Sequence, residues 1–111
     1  MDQVFSALSH RARRRMLDLL MEGPGMTVRA LASHFEISRI MVLKHLAMLE
    51  GAGLVVSQKA GRERRLYFNP VPIQVIYDRW TTAYTAFWAS RMVDMKSRVE
   101  ERAQKKGIRR A

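Results

Sequence analysis

The sequence contains no cysteine. Disulfides, thiol redox switching and thiolate metal sites are therefore excluded. Negative charge is scarce: 10 Asp and Glu stand against 20 Lys and Arg, a formal net charge of +10. Such an imbalance favours a polyanion as partner, nucleic acid first and an anionic membrane surface second. Simple solubility is the plainer alternative. No apolar run is long enough to span a bilayer, and nothing resembles a signal peptide, so a soluble, cytoplasmic protein is expected. Proline and glycine are few, at 3 and 6. No repeat, low-complexity tract or linker divides the 111 residues. One domain over 1–111 is expected, near the size at which a partner subunit helps a small core.

The pattern is mainly helical. Val4, Phe5 and Leu8 share a helical spacing over 1–8. "SHRARRRMLDLLMEGPG" offers Ser9 or His10 as a cap, a stripe of Met16, Leu17 and Leu20, and a Gly23-Pro24-Gly25 stop. Thr27 can cap "VRALASHF", with Val28, Leu31, Ala32 and Phe35 at helical spacing, and Ser38 can cap a helix that ends near Gly51. The period then changes. "LVVSQKAGRERRLYFNP" carries β-branched and aromatic residues around Gly61, which predicts a hairpin over 54–69. After Pro70 and Pro72, residues 72–105 contain no glycine or further proline and predict one long helix.

The helix from Ser38 has more large apolar residues than one core face can use. At about 100° per residue, Val42, Leu46 and Leu49 gather on one side with His45 beside them, and Ile40, Leu43, Lys44 and Ala47 fall opposite. A helix of about nine residues, a short turn and a second capped helix over 27–52 form a helix-turn-helix pattern. In that pattern the second helix buries one face and offers the other to the DNA major groove. Arg39, Ile40, Leu43 and Lys44 would then meet DNA: Arg39 can bond a guanine at N7 and O6, and Ile40 and Leu43 can pack on thymine methyls. Burial of Ile40 and Leu43 in a second core surface or a protein interface stays open. At the hairpin tip, Arg62, Arg64 and Arg65 surround a flexible turn, suited to the DNA backbone or minor groove; a solvated hairpin end is the alternative. Residues 38–69 hold six Lys or Arg against two Glu.

"MTVRALASHFEISRIMVLKHLAMLEGAGLV", with "ALSHRARRRMLDLL" before it and "GRERRLYFNP" after, resembles the ArsR-type winged helix-turn-helix transcriptional repressors. The pattern at Ser38, Val42, Lys44, His45, Leu46, Leu49, Glu50 and 52–55 carries most of the likeness, which runs from about Val4 to Asn69. The resemblance implies a winged helix-turn-helix fold, mainly α with a small β-hairpin and a long C-terminal dimerisation helix. It also implies homodimers that occlude promoters, paired through the first and last helices. The family's base-contacting positions fall on Arg39, Ile40, Leu43 and Lys44. Relatives often have small polar residues where this chain has Ile40 and Leu43, so the operator sequence is not implied.

Many members of that family sense metals through a cysteine pair on the helix matching Val28 to Phe35, or through His and carboxylates on the last helix. Here the first has no Cys and the second no His. His10, His34 and His45 lie on different predicted helices without paired ligand spacing, His45 at a buried or boundary position and His34 exposed. No metal or other cofactor is expected, and an inducer cannot be named. No nucleophile with a base, carboxylate pair or phosphate loop appears, so catalysis is not expected. Tyr77, Trp80, Tyr84, Trp88 and Met92 follow spacings of three and four, which suit a partner helix better than a membrane, and Phe87 adds to the same aromatic surface. With Val4, Phe5 and Leu8 they predict a two-fold dimer on an imperfect inverted repeat in duplex DNA. A winged-helix module that binds RNA or a protein is the alternative function.

Overall fold

The computed structural model describes residues 1–105. The chain runs α1 (Asp2–Leu8), α2 (Arg11–Glu22), β1 (Met26–Thr27), α3 (Val28–Ala32), α4 (Arg39–Gly51), β2 (Val55–Ala60), β3 (Glu63–Phe68) and α5 (Val71–Lys105). It is mainly helical, with one three-stranded antiparallel sheet of order β1-β3-β2. By contacts it groups into two compact units, Met1–Ile76 and the stretch from Tyr77 onward. Of the domain expected over 1–111, residues 106–111 lie outside the described residues.

Local chemistry sets the helix starts. The His10 ring accepts from the Ala12 amide, the Thr27 hydroxyl from Ala30, and the Ser38 hydroxyl from Met41, each replacing an intrahelical bond that a first turn lacks. Asn69 links wing to helix: its Nδ2 donates to the Gly53 carbonyl at 2.9 Å, and its Oδ1 accepts from Val71 at 3.2 Å, starting α5. Pro72 fits that first turn because an N–H at that position would have no intrahelical partner.

Two expectations change. The helix predicted through Phe35 stops at Ala32. Ser33 Oγ donates back to the Ala30 carbonyl at 2.6 Å, and the amides of His34 and Phe35 reach only three residues back, to Leu31 and Ala32. A side chain that competes for backbone carbonyls favours such a tight exit. The helix-turn-helix therefore has a five-residue first helix and a longer connection. Strand β1 was not expected either. Its two residues, Met26 and Thr27, pair with Leu66 and Arg65 after a turn in which Gly25 adopts a φ of 85°; two residues are too few for an alternating pattern.

The core lies in the first unit. Met16, Leu20, Leu31, Val42, Leu49, Leu54 and Leu66 are fully buried there, each such leucine contributing about 1.5–3 kcal/mol of transfer free energy. Val4 and Ala7 belong to this core, and Leu8 packs on it. This corrects the partner-facing stripe expected from Val4, Phe5 and Leu8. Seven residues make only two turns, and the side that carries Val4 and Ala7 is buried, so Phe5 alone of the three is exposed, at 48%. From Tyr77 onward, Tyr77, Trp80, Tyr84, Phe87 and Trp88 are all more than half exposed. No helix among the described residues is long and apolar enough to cross a membrane.

Candidate nucleic-acid interface

Helix α4 divides as its spacing requires. Val42, His45, Leu46 and Leu49 are buried. Arg39, Ile40, Leu43 and Lys44 all face solvent, with Ile40 66% exposed. Filling of a second core surface by Ile40 and Leu43 is thus ruled out within this chain, while Leu43, at 38%, is the better sheltered of the two.

The wing is a two-residue hairpin. Ala60 pairs with Glu63, and Gly61, at a φ of 64°, occupies the first turn position with Arg62 the second. Only glycine adopts that backbone without strain. Strict alternation along β3 then separates the three arginines expected to act together. Arg64 shares a face with buried Leu66 and lies opposite Lys59. It is ion-paired with Glu50 at the end of α4 and donates to Ser57 Oγ at 3.3 Å. Arg65 is on the other face, where it donates to the Gly25 carbonyl at 3.2 Å and pairs with Glu63 at 3.4 Å. Arg62 stands at the tip.

A groove of about 460 Å³ runs between the two elements, and Arg29, Arg39, Leu43, Arg62, Glu63 and Arg64 line it. Four guanidiniums against one carboxylate make it a cationic trough, and a phosphate or a base edge is the complementary occupant. It gathers Arg39 and Leu43 of α4 with Arg62 and Arg64 of the wing, and leaves Arg65 out. Two basic residues were missed by sequence reasoning. Arg29 enters the groove from the first turn of α3; Lys59 shares the Arg64 face of the wing. The Lys59 signal was available, since hairpin register fixes which residues lie opposite one another.

His34 is exposed. The structure brings the other two histidines together: the His10 and His45 rings are 4.4 Å apart between centroids. Each Nδ1 is already engaged, His10 with the Ala12 amide and His45 with an Arg13 guanidinium nitrogen at 3.1 Å. Among the described residues no third His, Cys, Asp or Glu joins them in a metal-sized cluster.

Known proteins share both the sequence and this architecture. Residues 8–58 match a helix-turn-helix domain family. The chain is 36% identical over 85 residues to the uncharacterized HTH-type transcriptional regulator YuzN of Bacillus subtilis, covering 71% of this chain and 92% of that one. It is 39% identical over 62 residues to the transcriptional repressor SdpR of the same species, covering 56% and 68%. Among solved structures, an ArsR-like transcriptional regulator from Rhodococcus is 31% identical and superposes with a TM-score of 0.67 over 90% of each chain. These relatives are regulators, not enzymes. With a buried and an exposed face on α4, a basic wing beside it and this degree of identity, the chain belongs to the ArsR-type winged helix-turn-helix DNA-binding transcriptional regulators.

Proposed function

We propose that this regulator is a cytoplasmic homodimeric repressor that reads an imperfect inverted repeat in duplex DNA and acts by occluding promoters. The observation that carries the reading is the cationic groove between α4 and the wing, lined by Arg39 and Leu43 of the helix that also exposes Ile40 and Lys44. Arg39 and Lys44 supply polar and charged contacts, Ile40 and Leu43 meet thymine methyls, and Arg62 with Arg29 grips phosphates on either side. Repression is supported by the likeness to a transcriptional repressor.

Pairing is supported by α5, whose aromatic side chains are too exposed for a stable lone chain. Phe5 on α1 is likewise offered to a second copy. A two-fold pair places two α4 helices in successive major grooves, about 34–36 Å apart. The reading includes no metal sensor: the chain lacks thiolates, and its two adjacent imidazoles already hold hydrogen bonds.

Selection of ligands from a random duplex pool tests this, with single-stranded RNA as the parallel pool. Enrichment of an inverted repeat with half-sites about one helical turn apart is expected. Equal retention of RNA, or enriched duplexes without any repeat, would refute it.

A further inference from the structure

Arg13, on α2, touches two other helices at once. Its Nε donates to the Ala7 carbonyl at 2.7 Å and its Nη2 to the Ser6 carbonyl at 3.1 Å, near the end of α1. Its Nη1 reaches His45 Nδ1 on α4 at 3.1 Å. A guanidinium can only donate, so Nδ1 must be the acceptor and His45 is neutral, with its proton on Nε2. His10 packs on His45 and likewise spends Nδ1 as an acceptor, capping α2. Both imidazoles would surrender those bonds on protonation.

The two side chains whose charge lowers the His45 pKa are both basic groups. Arg13 and His10 approach it from α2; α1 contributes only the carbonyls that hold Arg13. On its own helix Lys44 is adjacent, and Glu50 at the far end of that helix is ion-paired with Arg64. Burial first, then the charges of His10 and Arg13, lower the His45 pKa from its ordinary 6.5. The sign follows. As pH falls below that value an unclamped His45 takes up the proton first, so acid favours the open arrangement and the contact is complete above it.

We propose that Arg13 and His45 are positioning residues for DNA reading, a proton-sensitive clamp that fixes α4 against the end of α1. The proposal rests on the reading of α4 as the helix that contacts DNA. His45 lies on the inner side of the same helix that carries Leu43 and Lys44 outward, so a tilt allowed by the open clamp moves those side chains together. The clamp also joins α4 to α1, whose Phe5 is assigned to pairing, and so helps set the angle between two reading heads. Acid alone would act in the opposite sense, because added positive charge on a protein tightens DNA binding. The clamp therefore inverts the ordinary sign.

The test uses the full chain and a duplex enriched from the random pool. Dissociation constants are measured from about pH 8 to about pH 5.5 at fixed salt for wild type, His45→Asn and Arg13→Lys. Asparagine offers Oδ1 where Nδ1 stood and cannot be protonated; lysine keeps the charge but lacks the fork. Amide hydrogen exchange of α4 in unbound protein, corrected for intrinsic rates, runs across the same range. Each unit by which the closed clamp lowers the His45 pKa makes the closed-to-open ratio about tenfold smaller in acid. Wild type should thus bind progressively more weakly and exchange faster in α4, while His45→Asn binds flatly or more tightly. Arg13→Lys should bind more weakly even at the alkaline end, with a shallower profile. Wild type tightening in acid as His45→Asn does, or α4 exchange indifferent to pH, would overturn the clamp. Should folded wild type bind no duplex at any pH, the assignment of α4 fails, and the exchange measurement still decides the clamp.

Discussion

Arg62, Arg64 and Arg65 lie within four residues of one another, yet the hairpin sends them to three places. Arg65 is tied to the Gly25 carbonyl on the face away from the groove, Arg64 is held by Glu50, and Arg62 stands at the tip. Composition showed that the wing is basic; only the strand register shows which guanidiniums line the groove. Replacing Arg62 with Ala should reduce the salt slope of log K by about 0.9 across all sequences, and Arg65→Ala should leave it nearly unchanged. Titration of binding against salt checks both, and a larger change for Arg65 would contradict its place on the face away from the groove. On α4 the expectation is different in kind. Arg39→Ala should cost about 1–3 kcal/mol on the selected operator and relax preference at one base position. Lys44→Ala should weaken binding while the fold persists. Operator affinities at wild-type level for both folded variants would show that this helix does not enter the groove.

At the scale of elements, capping chemistry was legible and competition for carbonyls was not. Ser38, Thr27 and the candidate His10 all serve as caps, because a side-chain acceptor before an apolar period has one best use. The apolar period through Phe35 promised a longer α3. Phe35 does pack on the core, but through three-residue-back turns that place it there without a helix. Val4 was misjudged for a related reason: a seven-residue helix has one buried side, and spacing alone cannot say which residue occupies it. Glycines offer a paired test of the element boundaries. Gly61 has open space where a Cβ would stand but a φ of 64°, so Gly61→Ala should destabilise by about 1–2 kcal/mol through backbone strain alone. Gly51 also has open space and no positive φ, at the last turn of α4, so Gly51→Ala should stabilise by about 0.4–1 kcal/mol. Urea midpoints of the two variants should move in opposite directions, and a shared direction would contradict one of the two backbone assignments.

At the scale of the molecule, the exposed aromatics of α5 matter most. An aromatic side chain buries about 150–250 Å², and roughly half of each ring here is still open to solvent. Five such rings on each of two protomers offer on the order of 1,000 Å², near the lower edge of a specific interface. Met92, Met95 and Val99, each more than 60% exposed, continue the supply. The charge of the chain decides which variant is informative. Trp88→Lys adds a positive charge to a protein that already carries +10, so nonspecific attraction to DNA should rise slightly. Any loss of operator affinity in that variant must then come from lost pairing. Sedimentation at micromolar concentration should show wild type at twice the 12.9 kDa chain mass and Trp88→Lys shifted toward the single chain. The variant should bind a full inverted repeat little better than one half-site, because the second half-site no longer gains from a tethered partner. The core lies within Met1–Ile76, so the variant should keep its helical circular dichroism, melting lower only by what pairing contributed. A wild-type protein that sediments as a single chain, both free and on the repeat, would remove the dimer and the palindrome together.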